Sequence, residues 1–187
     1  SLSASVINHT GVIEARTLAT GEQGQITLLG EGELTTVAGT LDASAAQGGV
    51  GGRIMATGTH VLVDDNAHLS ASGRNGGGEV LVGGSWQNTD ASVYQATATL
   101  IKAGAVLEAN ATDRGDGGTV VAWSDITQAE GATRAYGTFQ ARGGARGGNG
   151  GRIETSGHWL DVAGGRADAS APQGAAGQWL LDPYNVT

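Results

Sequence analysis

The sequence has no cysteine, two prolines and a single lysine among 187 residues. Without cysteine there are no disulfides, which suits a cytosolic protein or an exported chain that crosses a membrane unfolded. The net charge is −8, so no basic stripe can follow phosphates and nucleic acid is excluded as a partner. No apolar run approaches the length of a membrane span, which predicts no membrane insertion.

Glycine is abundant instead, with 34 residues, and a five-residue pattern, small–x–apolar–x–Ala, recurs six times. The copies occupy residues 11–15, 39–43, 67–71, 105–109, 137–141 and 165–169. Their closing alanines lie 28, 28, 38, 32 and 28 residues apart. Self-similarity at such a period is typical of a stacked array, in which each unit buries its apolar face against the next.

Two further columns keep the same period. A Gly–x–apolar pattern ends at Ile26, Ile54, Val80, Val120, Ile153 and Trp179. A third column lies nine residues before each alanine, at Val6, Leu34, Leu62, Leu100, Ala132 and Leu160. Three short alternating stretches per repeat, separated by glycine-rich turns with positive φ, predict three strands per coil. The fold class is therefore all-β: a parallel β-helix (solenoid) of about six coils of roughly 28 residues, with residues 1–187 as one segment.

The period stretches by ten residues between Ala71 and Ala109, which predicts an insertion loop at about 84–97. Insertions in repeat proteins map to loops that are often functional. Within this one, the aromatic and polar side chains together would suit a carbohydrate ligand, and the speculative ligand-binding residues are Trp86, Asn88, Asp90 and Tyr94. The alternative is a loop folded back with its aromatic side chains packed on the coil.

Several blocks of the chain resemble the large exoproteins of two-partner secretion, the filamentous-haemagglutinin-like and high-molecular-weight adhesins of Gram-negative bacteria. The blocks are residues 82–87, 117–125, 136–144, 150–158 and 179–187. The resemblance implies a right-handed β-helix, export through an outer-membrane β-barrel transporter, and a rod-like passenger at the cell surface.

The secretion domain of that family carries Asn-Pro motifs, whereas Pro172 and Pro183 here follow Ala171 and Asp182. We therefore expect a passenger segment, or the tail of the secretion region. The pattern is already under way at Ser1, with no signal peptide, so we expect a piece of a longer protein. We also expect this segment to be monomeric.

Metal and catalytic chemistry find little support. Gly147–Arg152 has arginine where a calcium-binding β-roll needs aspartate. The histidines show no metal-ligand spacing, so we expect neither metal nor cofactor; they are His9, His60, His68 and His158. Asp64-Asp65 is the one adjacent acidic pair, and neighbours in a strand face opposite ways, so the prediction is no enzyme.

The outward residues of the alanine strands form a mostly acidic ladder that we expect to be hydrated; they are Glu14, Asp42, Ser70, Glu108, Gln140 and Asp168.

These features predict a stiff segment of a secreted bacterial surface adhesin, attaching to a host or matrix glycan or protein. Two alternatives stay open. The segment is a purely structural stalk for a toxin or binding module elsewhere in the chain, or it is a polysaccharide-active β-helix enzyme. Clustering of three or more carboxylates on one outer face would favour the enzyme.

Overall fold

The computed structural model describes residues 1–17 and 23–184, and within these the chain is built from sixteen β-strands and one short 3-10 turn. The strands are β1 (Leu2–His9), β2 (Val12–Glu14), β3 (Gln25–Val37), β4 (Thr40–Asp42), β5 (Arg53–Val63), β6 (His68–Ser70), β7 (Glu79–Val82), β8 (Ala98–Ile101), β9 (Val106–Glu108), β10 (Thr119–Trp123), β11 (Ala132–Ala135), β12 (Thr138–Gln140), β13 (Arg152–Gly157), β14 (Trp159–Asp161), β15 (Arg166–Asp168) and β16 (Gln178–Pro183). The turn covers Trp86–Asn88. The last three residues of the 179–187 block lie outside the described part of the chain.

The six copies of the alanine pattern form one parallel sheet, in the order β15-β12-β9-β6-β4-β2. Each central apolar residue pairs with its counterpart in the next repeat, along the row Ile13, Leu41, Leu69, Leu107, Phe139 and Ala167. The four central side chains of this row are fully buried, as are the closing alanines from Ala43 to Ala141. The first sequence column is confirmed residue for residue.

The remaining ten strands form the second sheet, also parallel. The Gly–x–apolar column is again in register, from Ile26 through Ile54, Val80, Val120 and Ile153 to Trp179. In the early repeats β3 and β5 are long strands that run through two of the three predicted stretches, whereas later repeats divide them into separate strands. All-β structure in two parallel sheets is consistent with a β-helix-like fold.

The residues of the third sequence column do not face the core. Leu34 pairs with His60 rather than Leu62, and Leu100 pairs with Arg134 rather than Ala132. Val6 is half-exposed, and every member of the predicted column lies outside the core. The inward residues are one position away, and a one-residue shift transfers every side chain of a strand to the opposite face.

Threonine occupies several of the inward positions beside this column. Thr35, Thr99 and Thr133 are at most 2% exposed. Each hydroxyl donates to a backbone carbonyl of another strand of this sheet: Thr35 to Thr57 at 2.8 Å, Thr99 to Trp123 at 2.6 Å and Thr133 to Ser156 at 2.7 Å. A buried hydroxyl that finds an acceptor avoids the cost of desolvation, so a polar residue is tolerated in this core.

Candidate functional site

The insertion leaves the second sheet at the end of β7, through Gly83 and Gly84. Gly83 has φ +77°, and a Cβ there would lie 2.1 Å from the Trp123 carbonyl oxygen. A Cβ on Gly84 would lie 2.3 Å from the Trp123 ring. Both contacts are below van der Waals separation, so glycine allows the chain to turn tightly over β10.

Beyond this exit the loop folds back onto the outer face of β7 and β10. Val93 is 4% exposed and joins Leu81, Val121 and Trp123 in a small hydrophobic cluster, called here the outer cluster. The Trp123 indole N–H donates to Oε1 of Gln95 at 3.1 Å. The loop therefore packs on the strands, and much of its apolar surface supports the fold.

The tip of the loop is held by a buried carboxylate. Gln87 and Asn88 have φ +47° and +51°, a conformation that costs non-glycine residues about 1 kcal/mol each. The Gln87 amide donates to Oε2 of Glu154 at 2.7 Å, and the Ser156 hydroxyl donates to Oε1 at 2.8 Å. Glu154 is fully buried. Burial raises the pKa of the Glu154 carboxyl, and the two hydrogen bonds offset that effect only in part.

Trp86 and Asp90 each contact an arginine of the underlying sheet. The Arg152 guanidinium lies over the Trp86 ring, 4.5 Å from its centroid. Nη2 of Arg53 is 2.9 Å from Oδ2 of Asp90. The Ser92 hydroxyl and then the Arg53 guanidinium lower the pKa of Asp90 to about 2. Three strand steps separate the two arginines, which is roughly 14 Å.

Tyr94 lies at the far end of the loop. Its hydroxyl is 3.4 Å from Oγ1 of Thr59, and its carbonyl accepts a hydrogen bond from Thr57. Tyr94 is 48% exposed, and Asn88 is exposed at the tip. The four residues predicted to bind a ligand thus lie at separate places along the loop. Ligand binding by them stays a prediction.

A groove of about 680 Å³ runs beside the loop, across the repeats. Its floor is made of paired glycines, one pair in each of four repeats: Gly51-Gly52, Gly77-Gly78, Gly117-Gly118 and Gly150-Gly151. One wall carries the residues that begin the Gly–x–apolar strands, which are Gln25, Arg53, Glu79, Thr119, Arg152 and Gln178. Val50 and Asp116, which directly precede glycine pairs in the sequence, also line the groove.

Close approach between repeats, rather than positive φ, demands glycine in this floor. A Cβ on Gly77 would lie 1.9 Å from the Ala109 carbonyl oxygen, and one on Gly78 would lie 2.0 Å from that of Gly52. Positive φ occurs a few residues earlier, as predicted for the turns, for example at Gly49. The repeated Gly-Gly pairs are visible in the sequence, where they predict turns. The sequence does not indicate that the stacked pairs line a groove.

The acidic ladder on the outer face of the short-strand sheet is buried at Asp42 and Ser70, whereas the side chains of Glu14 and Asp168 remain exposed to solvent. Asp42 is 9% exposed and Ser70 is 7% exposed. Nε of Arg16 is 2.6 Å from Oδ2 of Asp42, and Nε2 of His68 is 3.1 Å from Oε1 of Glu108. Burial alone would raise the pKa of Asp42, yet hydrogen bonds from Ser44 and Arg16 hold it below its usual value. At Asp42 the Arg16 guanidinium replaces the water that we expected there.

The adjacent acidic pair is likewise tied to a cation. Nζ of Lys102 is 2.7 Å from Oδ1 of Asp64 and 4.0 Å from Oδ2 of Asp65. The Lys102 ammonium lowers the pKa of Asp64. Within residues 1–17 and 23–184, no three His, Asp or Glu side chains come together in a way that could hold a metal ion.

Neither a family model nor a curated protein sequence matches this chain. Among solved structures it is similar to the crystal structure of the HMW1 secretion domain from Haemophilus influenzae. The TM-score is 0.79 at 26% sequence identity, and the match covers 96% of this chain and 45% of the other. The chain therefore spans less than half the length of that neighbour.

Within the described residues, no helix combines the length and the apolar character needed to cross a bilayer.

Proposed function

We propose that this chain is a right-handed β-helical segment, of about six coils, in an exoprotein exported by two-partner secretion. The observation that carries the proposal is the unbroken in-register pairing of equivalent residues from repeat to repeat. The similar structure is a secretion domain, in agreement with the family that the sequence blocks resemble. A bacterial secreted or surface location follows from the same argument.

The mechanical role follows from how the repeats contact one another. Each strand of the short-strand sheet pairs with the equivalent strands of the adjacent repeats, so unpaired edges remain only at β2 and β15. Such an array resists bending because each inner strand is hydrogen-bonded to the strand before it and to the strand after it along the stack. We propose a stiff segment that displays loops away from the cell. The segment attaches the bacterial cell to a host or matrix glycan or protein.

The likeness to a secretion domain bears on where the segment belongs in the longer protein. The sequence left open a passenger segment or the tail of the secretion region. We favour the tail, because the similar structure is itself a secretion domain and extends well beyond this chain. The outer-membrane transporter is then the partner during export.

A purely structural stalk is the second candidate. The packing of the insertion favours it, since Val93 and Gln95 are used to hold the loop on β10. We propose no catalytic role. Asp64 of the adjacent acidic pair is engaged by Lys102, and Asp90 of the loop is engaged by Arg53.

Competition separates the adhesin from the stalk. Bacteria that display the full exoprotein are allowed to attach to host cells or matrix in the presence of excess purified chain. An adhesive segment reduces attachment in proportion to its concentration, whereas a stalk leaves attachment unchanged. The matched control is the Leu69→Asp variant, which we expect not to fold.

Export is tested by co-expression with the transporter. Thr40 and His68 are paired neighbours in adjacent repeats, so Thr40→Cys with His68→Cys places two thiols at a separation that a disulfide can bridge. We expect the oxidised exoprotein to be retained in the periplasm and a reductant in the medium to restore its secretion. Equal secretion in both redox states would argue against export as an extended chain.

A further inference from the structure

The geometry points to the glycine-floored groove as a binding site for an extended, neutral, polyhydroxylated chain such as an unbranched glycan. This inference rests on the proposed adhesive function and moves its contact surface from the insertion loop to the groove. Five strand steps separate Gln25 from Gln178 along the wall, which gives a length of about 24 Å. Such a length suits a polymer rather than a single small molecule.

In the glycine pairs of the floor every amide is engaged, whereas half of the carbonyl oxygens accept no hydrogen bond from the described residues. Each glycine amide of the floor donates within the stack, for example Gly77 to the Asp116 carbonyl and Gly78 to that of Ala71. The carbonyl oxygens of the second glycines accept from the next repeat, as Gly78 does from Thr119. Those of the first glycines accept no hydrogen bond from residues 1–17 and 23–184; they are Gly51, Gly77, Gly117 and Gly150.

This pattern distinguishes hydroxyl groups from peptide groups. An extended peptide needs both donors and acceptors from the surface on which it pairs. A hydroxyl-rich chain can donate to the floor carbonyls and use the wall side chains for its remaining contacts. The floor therefore favours a glycan over a polypeptide strand.

The wall supplies polar groups that are not consumed by the fold. The side-chain amides of Gln25 and Gln178 make no hydrogen bond to the described residues. Arg152 donates through Nε to Thr119 at 2.9 Å, and its terminal nitrogens donate to nothing else in the described chain. Stacking on Trp86 holds that guanidinium in place. Trp86 is thus a positioning residue for the wall.

Charge selects a neutral ligand. Arg53 and Arg152 on the wall are balanced by Glu79 and Asp116 in the same groove, and Arg53 is already engaged by Glu79 at 3.2 Å. A polyanion would meet the two carboxylates, and a polycation would meet the two guanidinium groups. An uncharged polymer meets neither penalty.

The test measures binding of the purified chain to neutral β-1,4-linked glucose and N-acetylglucosamine oligomers of two to six units. A sulfated hexasaccharide and an extended uncharged peptide serve as alternative ligands. We expect affinity to rise with oligomer length, and Arg152→Ala and Gln178→Ala each to weaken binding of the longest oligomer about tenfold. Arg134→Ala removes the same charge from the outer face of β11 and is expected to change nothing.

Other outcomes overturn the inference. Affinity that does not depend on length, equal losses in the groove variants and in Arg134→Ala, or preference for the sulfated chain or the peptide would each exclude a neutral glycan in this groove. Absence of binding to every oligomer would do the same. Attachment that is still inhibited by excess chain would then show that the adhesive function stands and only the groove assignment has failed.

Discussion

Strands β7 and β10 carry hydrophobic clusters on both faces, and the two clusters are built differently. The inner cluster runs through every repeat, from Ile7 to Ile153. The outer cluster spans two strands and is closed by Val93 of the insertion. The inner face is buried because equivalent residues stack along the axis. The outer face is buried only where a loop unique to one repeat covers it.

Neighbouring repeats show this dependence. The outward position occupied by Leu81 and Val121 is filled by Glu154 in β13, at the margin of the loop. The covered strands accordingly read as near-continuous apolar runs, Glu79–Val82 and Thr119–Trp123, whereas the short strands alternate. Continuous apolar character is what a strand buried on both faces requires.

The largest effect is expected in the inner cluster. Leu69→Asp places a charge in a fully buried column between Leu41 and Leu107, and we expect the variant not to fold. Leu69→Ala leaves a cavity instead and should cost about 3–5 kcal/mol of unfolding free energy. Circular dichroism and urea titration measure both. Val12→Asp, at a site that is 64% exposed, is the control, and a native thermal midpoint for Leu69→Asp would refute the inward assignment.

The outer cluster should respond more locally. Trp123→Ala removes a side chain that is 1% exposed and its hydrogen bond to Gln95, a loss of about 3–5 kcal/mol. We expect amides of the insertion, such as those of Val93 and Ala96, to lose protection against hydrogen exchange while β6 stays protected. Equal loss of protection in β6 would mean that the two clusters form one cooperative unit.

Glu154 supports the tip of the loop beside the outer cluster, where its carboxylate accepts a hydrogen bond from the Gln87 amide. Glu154→Ala leaves the Gln87 amide without its acceptor and should cost about 1–3 kcal/mol. The raised pKa of Glu154 means that the folded state binds its proton more tightly than the unfolded state does. Its contribution is therefore greatest at low pH and is lost as pH rises through the folded-state pKa.

Urea titrations of the wild type and Glu154→Gln between pH 4 and 8 measure this dependence. The difference between the two free energies of unfolding should change across the range, with the wild type losing relative stability at higher pH. A difference that stays constant would show that the carboxyl titrates alike in both states.

The smallest effect is expected on the uncovered outer face of the short-strand sheet. The hydrogen bond to Glu108 raises the pKa of His68, and both side chains are partly exposed. The stabilisation is present below pH 6.5 and is lost as pH rises through the raised pKa. We expect it to be below about 1 kcal/mol. Thermal midpoints of the wild type and His68→Gln at pH 6 and pH 8 test this, and a larger gap at pH 8 would contradict the sign.

Prediction from sequence succeeded where equivalent residues of successive repeats pack on one another. Leu41, Leu69 and Leu107 recur at one position because each packs on the next, so their inward orientation could be read directly. The third column gave no such information, since the inward positions beside Leu34 and Leu100 hold threonines whose hydroxyls are satisfied by the backbone. Alternation alone does not reveal that a buried carbonyl is available to accept.

The candidate sites show the same division. The broken period predicts the insertion, but it does not predict the contacts that the insertion makes. Gln87 meets Glu154 across 67 positions of sequence, and Arg53 meets Asp90 across 37. Pairings at such separations depend on which repeats lie side by side.

The amino-acid sequence by itself determined the repeat, the parallel pairing of its strands and the residues that fill the inner column, because each repeat must match its neighbours to bury its apolar face. Only the tertiary structure decided how the insertion covers β7 and β10 and how paired glycines from successive repeats form one groove. Those features arise from contacts between positions whose separation no local pattern encodes.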